Sequence, residues 1–168
     1  MNKNTLIFLL LFVFAAAAVY AQTTELPERP VFFVSPAAEF SGYGREGMAI
    51  GAGAAVGMGD DRINAGLSLL YFKALGEDSI NSFETTVFLK FFPFNNNVLS
   101  PLFFRLEAGA ALFAYQNAPG FLSDSGSLVF GAGFGRQFPL NDRWIIEPCI
   151  RFGYPYIMAA GASAVFKF

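Results

Sequence analysis

From Gly47 to Gly59 this chain changes character at every residue. Met48, Ile50, Ala52, Ala54, Val56 and Met58 fall in one phase. Gly47, Ala49, Gly51, Gly53, Ala55, Gly57 and Gly59 fall in the other. A period of two is the period of a β-strand, whose successive side chains leave opposite faces. A helix fails here on two grounds. It needs apolar residues at a spacing near 3.6, and each of Gly51, Gly53 and Gly57 in its interior would cost about 1 kcal/mol relative to alanine. One face of this strand carries large apolar groups. The other carries almost no side chain.

The same alternation divides most of the chain into eight runs, at residues 31–40, 47–59, 62–73, 82–92, 101–115, 127–138, 143–154 and 158–168. Turn-forming clusters separate them, among them Asp60-Asp61, Gly76 to Ser79, Pro93 to Asn97, Pro119-Gly120 and Leu140 to Asp142. In the fifth run Leu102, Phe104, Leu106, Ala108, Ala110 and Leu112 oppose Arg105, Glu107, Gly109 and Ala111. In the last, Ala160, Ala162, Ala164, Phe166 and Phe168 oppose Gly161, Ser163, Val165 and Lys167. The 22 phenylalanines and 17 glycines of the 168 residues fit one arrangement. Lipid accepts bulky apolar groups on the outside, and a narrow interior accepts small ones. A soluble barrel or sandwich would turn the apolar face inward. The glycine, alanine and serine face would then make a poor coat against water. The predicted fold class is all-β: an eight-stranded antiparallel transmembrane β-barrel, wound as an up-and-down meander. Pro36 and Pro148 interrupt the pattern, because a central strand needs its amide donors. They predict a bulge or break at the first and a bulge at the second. Tyr71, Tyr115, Trp144, Tyr154 and Tyr156 are expected to sit in aromatic girdles at the membrane interface.

The N-terminus carries Lys3, an apolar stretch from Leu6 to Val19, and the small-x-small site Val19-Tyr20-Ala21. The stretch is short for a membrane span and the cleavage site follows it directly, which reads as a secretory signal peptide over residues 1–21. Residues 22–30 then form a periplasmic lead-in, and residues 31–168 form the barrel. Export followed by an even number of strands predicts both termini on the periplasmic side of the outer membrane. Short turns near Asp60, Asn96 and Asn141 are expected there. Loops near Gly44, Asp78, Asp124 and Pro155 are expected outside, the longer ones near Asp78 and Asp124.

Eight charged residues fall in the inward phase of the strands. Glu39, Glu84, Glu107 and Glu147 are set against Lys90, Arg105, Arg151 and Lys167. Buried charge is costly unless paired, so an ion-pair network is expected among Glu84, Lys90, Arg105, Glu107, Glu147 and Arg151. An eight-stranded interior is just wide enough for side chains to fill. These pairs should therefore work as a plug.

The export signal, the eight alternating runs and the closing Ala164-x-Phe166-x-Phe168 pattern resemble the small outer-membrane protein β-barrel family, the OmpA- and OmpX-like eight-stranded domains, over residues 31–168. The resemblance implies that Ala164, Phe166 and Phe168 form an assembly signal of the kind read by the barrel assembly machinery. It further implies outer-membrane lipid as a partner, with that machinery and periplasmic chaperones as partners during biogenesis.

Several function classes are disfavoured. The formal net charge is −2 with no basic cluster, which gives a nucleic acid nothing to hold. The chain contains no histidine, so chemistry built on an imidazole base is excluded. Cys149 is the single cysteine and can form no internal disulfide. No grouping suggests a metal or a cofactor. The reading is a non-enzymatic integral outer-membrane barrel with a structural or surface-interaction role and a plugged lumen. The alternative is passage or binding of a small apolar molecule, with Phe33, Phe72, Phe88, Phe103 and Phe113 lining its site. A lipid-modifying enzyme ranks below both. Ser35 and Ser163 point inward, but a serine nucleophile needs a base.

Overall fold

The computed structural model describes residues 31–42, 47–60, 62–75, 80–93, 102–115 and 126–168. The signal peptide and lead-in expected at residues 1–30 lie outside the described residues, as do the expected turn at Asn96 and the loops at Gly44, Asp78 and Asp124. Among the described residues, eight strands form the compact unit Val31–Phe168. They are β1 (Val31–Gly42), β2 (Met48–Gly59), β3 (Ile63–Ala74), β4 (Ile80–Phe91), β5 (Leu102–Tyr115), β6 (Gly126–Arg136), β7 (Trp144–Tyr154) and β8 (Met158–Lys167). Each pairs antiparallel with the next. β1 pairs with β8, so the sheet is closed. Phe138–Pro139 continues β6 against β7 in the same register. Closure leaves no unpaired edge, the condition for a sheet to cross hydrocarbon.

The phase read from the sequence is the phase observed. Phe32, Ile50, Val56, Leu67, Phe104, Leu106, Phe130 and Phe152 are exposed on the outer wall. Phe33, Ser68, Phe72, Phe88, Phe103, Arg105 and Glu147 are buried inside. An outer wall of this composition belongs against acyl chains. Tyr71, Trp144 and Tyr154 stand on that wall as expected of girdle residues, and the Tyr115 side chain lies outside what is described. Tyr156 does not belong with them. It is fully buried in the barrel interior.

Inward glycines are matched to large side chains on the neighbouring strand. Gly57 is paired with Phe33, Gly51 with Phe72, Gly66 with Phe88, Gly135 with Phe103, and Gly161 with Glu39. A Cβ at Gly57 would stand 2.6 Å from the Phe33 ring, and one at Gly66 would stand 2.8 Å from the Phe88 ring. At Gly51 the three nearest atoms all belong to the Phe72 ring. The glycine face thus makes room for the large residue beside it in the ladder, which is how one interior accommodates so many aromatic rings.

The two prolines do not insert residues. The β1–β2 register runs unbroken through Pro36↔Ala54, and the β7–β8 register runs unbroken through Pro148↔Ala162. The bulge expected at Pro148 is therefore absent. Each proline instead interrupts the ladder on its other side. The β1–β8 pairing lapses at Ser35 and Pro36, and the β6–β7 pairing lapses opposite Glu147 and Pro148, then both resume in the same register. The physical reason is that a strand residue's N–H serves one neighbour only. A proline forfeits bonds to that neighbour and leaves the other side intact.

Two turns at the end that holds Val31 and Phe168, the near end, are clamped by side chains. Asp60 Oδ1 accepts from the amides of Arg62 and Ile63, both at 2.7 Å. Asn141 Oδ1 accepts from Arg143 at 2.9 Å and Trp144 at 2.8 Å. Such Asx geometry is why these residue types initiate tight turns. The expectation of uniformly short connections at this end fails between β4 and β5. That connection spans residues 92–101, as long as the 116–125 connection at the far end. At closure, the Phe168 amide donates to the Phe32 carbonyl at 2.9 Å.

Candidate functional site

The inward charges form a belt across the interior. Lys90, near the end of β4, pairs with Glu147 of β7. Gln137 donates its Nε2 to the other oxygen of the same carboxylate at 2.5 Å. The Lys90 ammonium also lies 5.7, 5.5 and 5.1 Å from the ring centres of Phe33, Phe88 and Phe103. A cation so placed draws on ring quadrupoles as well as on its counter-ion. Arg105 on β5 sets its Nε 2.9 Å from Glu107 Oε2, with its guanidinium 4.6 Å from the centre of the Phe88 ring.

Arg151 is the hub of the second half of the belt. It projects from β7, is 1% exposed, and forks between two carboxylates. Nη1 donates to Glu107 Oε1 and Nη2 donates to Glu39 Oε2. Tyr156 donates its hydroxyl to the same Glu107 oxygen, and the Arg151 guanidinium lies 4.7 Å from the centre of its ring. A guanidinium sets its donors on separate nitrogens in a rigid plane, so one side chain meets two carboxylates that lie apart. β5 and β7 are not neighbours, so the Arg151–Glu107 pair spans the interior.

Of the six residues expected in a network, the structure brings Lys90 to Glu147, and Arg105 and Arg151 to Glu107. Glu84 is buried in the same interior on β4. Glu39 also joins, through Arg151. Two further members, both uncharged, were missed. Gln137 continues the inward phase of Gly131, Gly133 and Gly135, a signal present in the sequence but overlooked because the residue is neutral. Tyr156 lies in a turn, where strand alternation assigns no face.

Apolar layers enclose the belt. Phe33, Phe88, Ile145 and Val165 pack together toward the near end. Ala111, Val129, Tyr156 and Ala159 pack in the other half, as do Ala49, Leu70 and Phe72. Two small voids flank the Lys90–Glu147 pair. One is bordered by Ser35, Ser68, Arg105, Cys149 and Ser163. The other borders Asp60, Asn64, Gln137 and Lys167. Each is about 20 Å³, room for about one water molecule.

Several solved outer-membrane proteins share this closed architecture. Neisserial surface protein A superposes with a TM-score of 0.62 at 13% identity, over 83% of this chain and 98% of that one. This is the fold of the small eight-stranded outer-membrane barrels. The outer membrane protein OprG from Pseudomonas aeruginosa matches with a TM-score of 0.57 at 11% identity, over 83% of this chain and 95% of that one. Ail, the attachment invasion locus protein of Yersinia pestis, matches with a TM-score of 0.53 at 15% identity, over 83% and 98%. That structure holds the heparin analogue sucrose octasulfate. No protein-family model and no curated protein matches this sequence. At these identities the likeness is one of fold, and the barrel's belt must be read from its own residues.

Proposed function

We propose that this chain is an integral protein of the bacterial outer membrane, non-enzymatic, with a structural or surface-interaction role and a lumen closed by its own ion pairs. The belt of Lys90, Arg105 and Arg151 with Glu39, Glu107 and Glu147 carries the reading. Charges tied across a narrow interior leave little continuous space for water. The fold's occurrence in proteins described by surface location and attachment supports an interaction role. The absence of histidine from the sequence argues against hydrolytic or acyl-transfer chemistry. In this reading both termini are periplasmic and the Tyr154–Met158 turn faces outward.

Planar-bilayer conductance tests the closed lumen. The wild-type barrel is expected to be electrically silent and Arg105→Ala to leak, because the substitution removes a guanidinium wedged between Phe88 and Glu107. A steady wild-type pore overturns the proposal.

The second reading, passage or binding of a small apolar molecule, draws on one specific feature. Ala162 stands exposed on the outer wall, yet it borders the same void as Ser35 and Cys149, close to where the β1–β8 ladder lapses. A spin-labelled fatty acid that partitions to this seam and is displaced by Ala162→Phe would favour it over the first reading.

Ala164, Phe166 and Phe168 serve the proposed assembly signal. The Phe168 ring is 75% exposed and meets Phe166 edge-on, with centroids 5.0 Å apart. So little contact means that Phe168→Ala should leave refolding in detergent within about 0.5 kcal/mol of wild type. The same change should cut the amount assembled in cells several-fold. Equal loss in both settings would make the residue structural instead.

A further inference from the structure

Tyr156 is the one large aromatic of the far-end turn that leaves the wall for the interior. Its neighbours Tyr154, Ile157 and Met158 are all about half exposed or more, whereas Tyr156 is 0% exposed. A backbone bond from the Ile157 amide to the Gly42 carbonyl, at 2.8 Å, ties the turn to the barrel rim. The tyrosine's hydroxyl enters a socket. It donates to Glu107, stands 3.4 Å from Arg151 Nη1, and occupies the space that a Cβ at Gly131 would need. Its ring packs on Ala111, Val129 and Ala159, with Phe113 alongside. Small residues on three strands thus frame a seat for one side chain delivered from a turn.

We propose that Tyr156 is a removable stopper that closes the far mouth of the lumen and controls access of water and ions to the Arg151–Glu107 pair. The proposal rests on the reading of a filled lumen and adds which element opens it. Turn and strand contribute differently. Glu39, Glu107 and Arg151 sit at strand positions paired on both sides. Tyr156 hangs from a three-residue connection and can leave its seat without breaking a strand pair. With the tyrosine out, the guanidinium keeps Glu39 and Glu107, but its face at 4.7 Å loses its cover.

The test uses the whole barrel in lipid nanodiscs, both mouths accessible, with Cys149→Ser and Ala159→Cys. A small charged methanethiosulfonate then reports on the wall of the seat. The parent is expected to label slowly. Tyr156→Ala should label at least tenfold faster, and Ile157→Ala should match the parent. Gly131→Ala leaves the tyrosine in place but takes the room for its hydroxyl, and should also label faster. This variant carries the test should Tyr156→Ala fail to reach the protease-resistant β-sheet state. A slow parent with no acceleration in either variant overturns the stopper and leaves the filled lumen standing. A parent that labels rapidly overturns the filled lumen, and the stopper with it.

Discussion

Arg151→Ala is expected to lower the unfolding free energy of the barrel by about 3–5 kcal/mol, the range for breaking one side of a buried ion pair. The size follows from what remains. Glu39 would lose the guanidinium that now meets it in the interior, and Glu107 would be left with Arg105 and the Tyr156 hydroxyl alone. Arg151→Lys should recover only part of the loss, because an ammonium gathers its donors on one nitrogen and cannot match the spread of the planar fork. Adding Glu39→Gln to Arg151→Ala should recover more, since it removes one of the stranded charges. Denaturant unfolding in lipid vesicles reads these differences through Trp144, the chain's single tryptophan. A cost below about 1 kcal/mol for Arg151→Ala would mean that the interior is wet enough to solvate the carboxylates, as at an exposed pair.

The second large effect concerns the glycine face. Gly51→Ala alone should destabilise by about 1–3 kcal/mol, the usual cost of forcing extra volume into a packed interior. Phe72→Ala alone should cost about 3–5 kcal/mol. Together they should cost less than the sum. The three atoms nearest the new methyl all belong to the Phe72 ring, and the second change removes them. A double-mutant cycle isolates that coupling. Strict additivity would show that Gly51 serves the backbone alone, not the ring beside it.

These two expectations mark what the sequence makes legible and what it does not. Wall and interior could be assigned residue by residue, because a closed sheet enforces a period of two along each strand. The identity of the inward charges came with that assignment. Their partners did not. Which carboxylate meets Lys90 or Arg151 depends on how the strands stagger around the barrel, and alternation carries no information about stagger. The matching of Gly51 to Phe72 was hidden for the same reason, since it is a property of two strands in register. The prolines were read as disturbances of their own strands, whereas each one's effect falls on a neighbour. Tyr156 was placed at the interface by its chemistry, yet turn geometry sends it inward. The connection at residues 92–101 shows that residue type at a turn's start, here Pro93, does not fix the turn's length.

The two interrupted ladders share a geometry with a mechanical meaning. One lies where β8 meets β1 and the other where β7 meets β6. Together they border the C-terminal hairpin on its left and right, while the pairing within that hairpin is continuous. The wall is therefore a six-strand staple completed by a two-strand wedge. The wedge is the one hairpin whose two flanking seams both lack part of their ladder.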